Sequence, residues 1–238
     1  MVQRMIRNKA LYIFLLLALS TCGCRNWESR SLKDSSASIR FLALGDSYTI
    51  GESVEEEERW PVQLADRIEA QGCGSVDLEI IARTGWTTGD LLQALDRQVP
   101  QGPYELVSLQ IGVNNQFQGR SQEQYSEEFR LLLERAVKLA DGDPGRVVVL
   151  SIPDWGVTPF ADRRDTGRIQ TEIDAFNLIN KTESLKLGVN YVDITDISRE
   201  AEGDLSLLSA DELHPSGEMY GRWVNRIWPE IFRMLNTD

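Results

Sequence analysis

The chain contains a single histidine, His214, set in Asp211-Glu212-Leu213-His214-Pro215-Ser216. Any reaction that needs an imidazole as base must run through it. A serine hydroxyl is a poor nucleophile unless such a base stands beside it, and a candidate serine lies in Gly45-Asp46-Ser47-Tyr48, directly after the apolar run 41–44. That position puts Ser47 at the end of a strand, where a substrate can reach it. Alone, neither segment says much. Gly, Asp and Ser are ordinary turn residues, and a lone histidine serves as readily on a surface or in a cap. Two further segments follow apolar runs in the same manner: Thr84-Gly85-Trp86 and Gly112-Val113-Asn114-Asn115.

Four groups so far apart in sequence can act together only if the fold brings them to one edge. The runs 41–44, 78–82, 106–111 and 147–152 are short and continuously apolar, as strands buried on both faces of a parallel sheet are. A weaker fifth spans 191–194. Between them the apolar residues take helical spacing: Val62, Ala65 and Ile68; Leu91, Leu92 and Leu95; Tyr125, Phe129, Leu132, Leu133 and Ala136; Ile169, Ile173 and Phe176. A last helix carries Tyr220, Trp223, Ile227 and Ile231. Pro61 and Pro215 suit first-turn positions, and Thr87 with Asp90 and Ser121 with Gln124 have capping-box spacing. Alternating strands and helices imply right-handed crossovers and an α/β fold with a parallel sheet covered on both sides. In such folds ligands bind beyond the C-terminal ends of the strands.

Taken together, the blocks around Ser47, Gly85, Asn114 and His214 resemble those of the SGNH, or GDSL-like, hydrolases, in the same order and on the same elements. The resemblance implies a three-layer α/β/α sandwich with a flavodoxin-like sheet of about five strands. It also implies a serine esterase that works through an acyl-enzyme. Ser47 would be the nucleophile, His214 the base and Asp211 its orienting acid, with the Ser47 and Gly85 N–H groups and the Asn114 amide as oxyanion donors. Asp154, Asp193 and Asp196 also fall near the sheet edge and remain alternatives for the acid. Asp46 is expected to be structural. Tyr48 stands where many members have Leu, and Asn115 where the third block commonly has Asp. No Gly-x-Ser-x-Gly elbow of the α/β-hydrolase type is present. The rival function is a catalytically inactive, surface-anchored lipoprotein of the same fold that binds glycan or lipid. Tyr48, Trp86, Phe117, Trp155 and Phe160 are candidates for a substrate pocket, although core packing would use aromatics equally well.

Composition narrows the partners. With 37 acidic against 25 basic residues and a formal net charge of -12, the chain should repel nucleic acid. A lone histidine leaves no His-Glu-x-x-His site and there is no Cys-x-x-Cys pair, so no metal or organic cofactor is implied. Arg4, Arg7 and Lys9 precede an apolar run over 10–19 that is well short of the roughly 20 residues a membrane span needs, and so reads as a secretory signal. Cys22 and Cys24 each resemble the lipidated cysteine of a bacterial lipoprotein. Cys22 is favoured because Leu19 stands three residues before it, and a Cys24–Cys73 bridge is a further possibility. The expected organisation is a signal over 1–21, a lipid-bearing polar tether over 22–38 and one hydrolase domain over 39–238, held on the periplasmic or cell-surface side of a bacterial membrane. Its partner would be a small-molecule, lipid or glycan ester. Asn180-Lys181-Thr182 fits a glycosylation sequon but falls in an expected helix and is read as chance. Residues 55–58, all glutamate, are expected to form a solvated loop.

Overall fold

The computed structural model describes residues 38–236. The expected signal, Cys22, Cys24 and nearly all of the tether lie outside the described residues. Five strands form one sheet: β1 (Ile39–Gly45), β2 (Val76–Ala82), β3 (Leu106–Gln110), β4 (Val147–Leu150) and β5 (Asn190–Val192). Their order is β2-β1-β3-β4-β5 and every pairing is parallel. The helices are α1 (Ser47–Ile50), α2 (Trp60–Ala70), α3 (Thr88–Gln98), α4 (Val113–Phe117), α5 (Gln122–Leu139), α6 (Thr166–Lys186), α7 (Thr195–Arg199) and α8 (Gly217–Asn236). One outer layer is formed by α2 packed on α8, the other by α3, α5 and α6 in a row. The architecture is the expected three-layer α/β sandwich.

Apolar spacing drives this layering. Trp60, Leu64 and Ile68 of α2 face Tyr220, Trp223, Ile227 and Ile231 of α8, and all are buried. On the opposite side α5 buries Tyr125, Phe129, Leu132, Leu133 and Ala136. Each such side chain removed from water contributes about 1.5–3 kcal/mol before entropy is charged against it. Pro61 does sit in the first turn of α2. The Thr87–Asp90 pair closes a full capping box on α3, whereas Ser121 supplies only its own half, accepting from the Gln124 N–H.

Three expectations need correction. β2 is an edge strand whose residues are mostly half-exposed or exposed in alternation, because β1 is its one neighbour; it is not buried on both faces. Pro215 does not open the last helix, which begins at Gly217. It pairs instead in an isolated antiparallel bridge with Leu208. The glutamates at 55–58 are exposed as expected, but Glu56–Glu58 forms a short 3-10 turn. Asn180, by contrast, is fully buried, its side-chain oxygen accepting the Tyr125 hydroxyl at 2.5 Å, so the acceptor residue of the sequon faces the core although Lys181 and Thr182 are exposed.

Candidate active site

Register assembles the site. Gly45 at the end of β1 is level with Ala82 of β2 and with Gln110 of β3, so the chain leaves three adjacent strands at one height. The next residues of each form neighbouring loops: Ser47 after β1, Gly85 after β2 and Asn114 after β3. The crevice lies where strand order reverses about β1, the expected place for a ligand in an open parallel sheet.

Ser47 is the first residue of α1, with Asp46 as its cap, the carboxylate accepting the Tyr48 N–H at 3.1 Å. At a helix start the first N–H groups have no partner within the helix, and the Ser47 N–H makes no hydrogen bond among the described residues. Gly85 has φ 82 and an equally unengaged N–H. A Cβ there would meet nothing within 4 Å, so backbone conformation, rather than crowding, calls for glycine. The Asn114 amide donates to the Trp86 carbonyl at 2.9 Å. That bond takes one of its two N–H groups and fixes the plane of the other.

His214 arrives from a loop whose base is closed by the Leu208–Pro215 bridge and by the Ser209 N–H donating to the His214 carbonyl at 2.8 Å. Its Nε2 lies 2.9 Å from Ser47 Oγ, and its Nδ1 lies 2.7 Å from Asp211 Oδ2. The ring packs against Tyr48, with centroids 5.1 Å apart. Asp211 Oδ1 accepts the Leu213 and His214 N–H groups at 3.0 and 2.9 Å and the Ser209 hydroxyl at 2.8 Å. Oδ2 accepts the Ser53 hydroxyl at 2.6 Å. Partial burial would raise the Asp211 pKa, but the bonds from Ser53, His214 and Leu213 outweigh it and hold the carboxyl well below the usual carboxylate range. Asp211 is therefore an ionised acceptor that keeps Nδ1 protonated and leaves Nε2 free to accept from Ser47.

The other three aspartates are engaged elsewhere. Asp154 is buried against Arg199 at 2.9 Å. Asp193 accepts from Ser151, and Asp196 pairs with Arg226. Asp46 is buried next to Ser47, where desolvation pushes its carboxyl up to about 7 against the pull of the Tyr48 N–H.

A cleft of about 190 Å³ opens over Ser47 and His214, walled by Tyr48, Val113, Phe117, Trp155, Phe160 and Leu213 together with Gly85 and Asn114. Trp86, expected beside them, is not in this wall. Its ring packs half-buried on the core while its carbonyl holds Asn114. Asn115, at the position where the resemblance expects Asp, is buried and bonds twice to Thr88, accepting its N–H at 3.0 Å and donating to its hydroxyl at 2.7 Å. An amide does what a carboxylate would not, since it both gives and takes a hydrogen. Ser53 went unnoticed in the sequence, where only its contact across the fold reveals it. Among the described residues no group of three or more His, Cys, Asp or Glu side chains is placed to hold a metal ion, and no helix is long and apolar enough to cross a membrane.

Residues 43–222 match the model of the GDSL-like lipase/acylhydrolase family. No curated protein matches the chain. Among solved structures, a psychrotrophic esterase from Pseudoalteromonas sp. is similar at 19% identity and TM-score 0.64, covering 84% of this chain and 100% of that one. A lipase/acylhydrolase from Enterococcus faecalis is similar at 22% identity and TM-score 0.59, covering 81% and 94%. An acetylxylan esterase from Geobacillus stearothermophilus is similar at 16% identity and TM-score 0.62, covering 86% and 98%. At these identities the likeness is one of fold.

Proposed function

The chain belongs to the GDSL-like lipase/acylhydrolase family, and from that premise we propose that it hydrolyses small carboxylic esters through an acyl-enzyme on Ser47. The observation that carries this is the unbroken chain of hydrogen bonds from Ser47 Oγ through both nitrogens of His214 to Asp211. His214 takes the Ser47 proton as Oγ bonds to the ester carbonyl carbon, and the carbonyl oxygen becomes an oxyanion. The Ser47 and Gly85 N–H groups and the Asn114 amide are the donors that meet this charge. Collapse of the intermediate breaks the bond to the alcohol, which leaves with the proton from His214. Water then gives a proton to His214 as it attacks the acyl carbon, and collapse of the second intermediate breaks the bond to Oγ, which takes that proton back from His214 as the acid is released. Asp211 stabilises the imidazolium in both halves.

On sequence alone, the protein is also proposed to be exported and tethered by a lipid on Cys22 or Cys24. The enzymatic proposal is tested with a panel of 4-nitrophenyl esters of increasing acyl length beside acetylated sugars. Turnover by the wild type and its loss in Ser47→Ala of unchanged melting temperature is the expected result. Binding of such compounds without turnover would favour the inactive binding protein.

A further inference from the structure

Beside the cleft, against three aromatic rings of its wall, stands a charged group that the hydrolytic machinery does not use. Phe117, Trp155 and Phe160 form a cluster with ring centroids 5.4–6.3 Å apart. The Arg164 guanidinium lies 5.1 Å from the Phe117 and Trp155 centroids and 5.4 Å from that of Phe160. The cluster is anchored from below, since Trp155 is buried and donates to Gln116 at 2.8 Å, which in turn donates to Glu172 at 2.8 Å. Its upper edge is open, with Phe117 46% and Phe160 44% exposed. Arg164 is therefore held in place by ring faces, through cation–π attraction.

Its hydrogen-bonding capacity is unspent. Among the described residues the Arg164 side chain makes neither an ion pair nor a hydrogen bond, and the flanking Asp162 and Asp165 do not pair with it. Asp165 instead caps α6 through the Arg168 N–H. In a chain with 37 acidic residues and a net charge of -12, several other arginines sit on carboxylates. An unpaired, exposed guanidinium presents planar donors matched to a carboxylate or phosphate. The protein's overall field would repel an anion approaching from solvent, so a local cation beside the cleft is what such a substrate would need.

We propose that Arg164, fixed over Phe117, Trp155 and Phe160, is a specificity-determining residue that binds a carboxylate or phosphate on the non-reacting end of the ester. This rests on the esterase function proposed above and extends it to anionic esters, the flat apolar stem lying on the rings and its charge reaching the guanidinium. Neutral sugars or acyl chains could use the rings alone but would leave the guanidinium unused.

The test compares kcat/KM for matched esters, anionic over neutral, in the wild type, Arg164→Gln and Arg164→Lys. One pair varies the acyl side (4-nitrophenyl hemisuccinate against 4-nitrophenyl butyrate). A second varies the alcohol side (4-acetoxybenzoate against its methyl ester). Intrinsic reactivity cancels when ratios are compared between variants. For at least one pair the ratio should fall roughly fivefold in Arg164→Gln, the scale of one charge-assisted hydrogen bond at a partly exposed site. Arg164→Lys should retain part of the preference, and added salt should erode it in the wild type. Ratios within about twofold of wild type in Arg164→Gln for both pairs would overturn the proposal, because a guanidinium that merely covers the rings alters both esters alike. Absence of turnover of every ester by the wild type would remove the esterase function itself and this proposal with it, whereas turnover of the neutral esters with unchanged ratios removes only this one.

Discussion

Asp46 and Asp211 are two carboxylates close to Ser47, and their surroundings push them in opposite directions. Asp211 collects hydrogen bonds and stays ionised. Asp46 is buried with one backbone bond and is raised to about 7. Unfolded, Asp46 would lose its proton near ~3.9. Between that value and the folded one the native state holds the extra proton, so this residue's contribution to stability declines as pH rises. Asp46→Asn keeps the acceptor for Tyr48 and removes the titration. Melting curves from about pH 4 to about pH 8 should show the variant gaining on the wild type as pH increases, and parallel curves would contradict the assignment. Asp211 makes a different prediction. Asp211→Asn should lower kcat by at least about 100-fold through lost tautomer control. Ser53→Ala, which removes one of several bonds to the same carboxylate, should cost no more than about tenfold. Asp154→Asn should destabilise the fold by removing the buried half of the Arg199 pairing, which leaves Arg199 only Asp174, yet leave kcat near wild type at temperatures where it is folded; a large kcat loss there would make Asp154 part of the machinery. His214 was legible in the sequence because it is unique, and Asp211 because it lies three residues away. Ser53 was not, because its partner lies 158 residues along the chain.

At the scale of elements, the site is a consequence of register. Aligned C-terminal ends of β1, β2 and β3 bring the three loops together, and the tight packing of those loops sets what each position tolerates. Gly112, with φ 130, opens α4, and a Cβ there would lie 2.2 Å from Tyr125 Oη and 2.8 Å from Ile152 Cδ1. That hydroxyl is itself tied to the Ile111 carbonyl and to Asn180, so it has little room to yield. Gly112→Ala should therefore lose about 2–5 kcal/mol in urea unfolding, from overpacking and backbone strain together; an unchanged midpoint would show that the loop relaxes freely. Strand positions were readable from short apolar runs because β1, β3 and β4 are buried. The exposure of β2 was not, since a run such as 78–82 looks the same at an edge as in the middle of a sheet. The start of α8 was misplaced for a similar reason: Pro215 suits a first turn by type, but its pairing with Leu208 is a tertiary contact.

At the scale of the whole molecule, the catalytic and anchoring functions are proposed to be separable. The lipid would sit on Cys22 or Cys24, whereas the match to the family covers residues 43–222. Replacing both cysteines by serine should release active protein from membranes, as followed by fractionation and ester turnover; retention of the double variant would contradict the anchor. The most direct measurement of the central claim, that Ser47 is a nucleophile activated by His214, is the mass of the protein after reaction with a fluorophosphonate, followed by mapping of the modified peptide. One adduct on Ser47, absent in Ser47→Ala and formed far more slowly in His214→Gln, is the predicted result. No adduct on the folded wild-type protein, or an adduct on another residue that persists in Ser47→Ala, would contradict it.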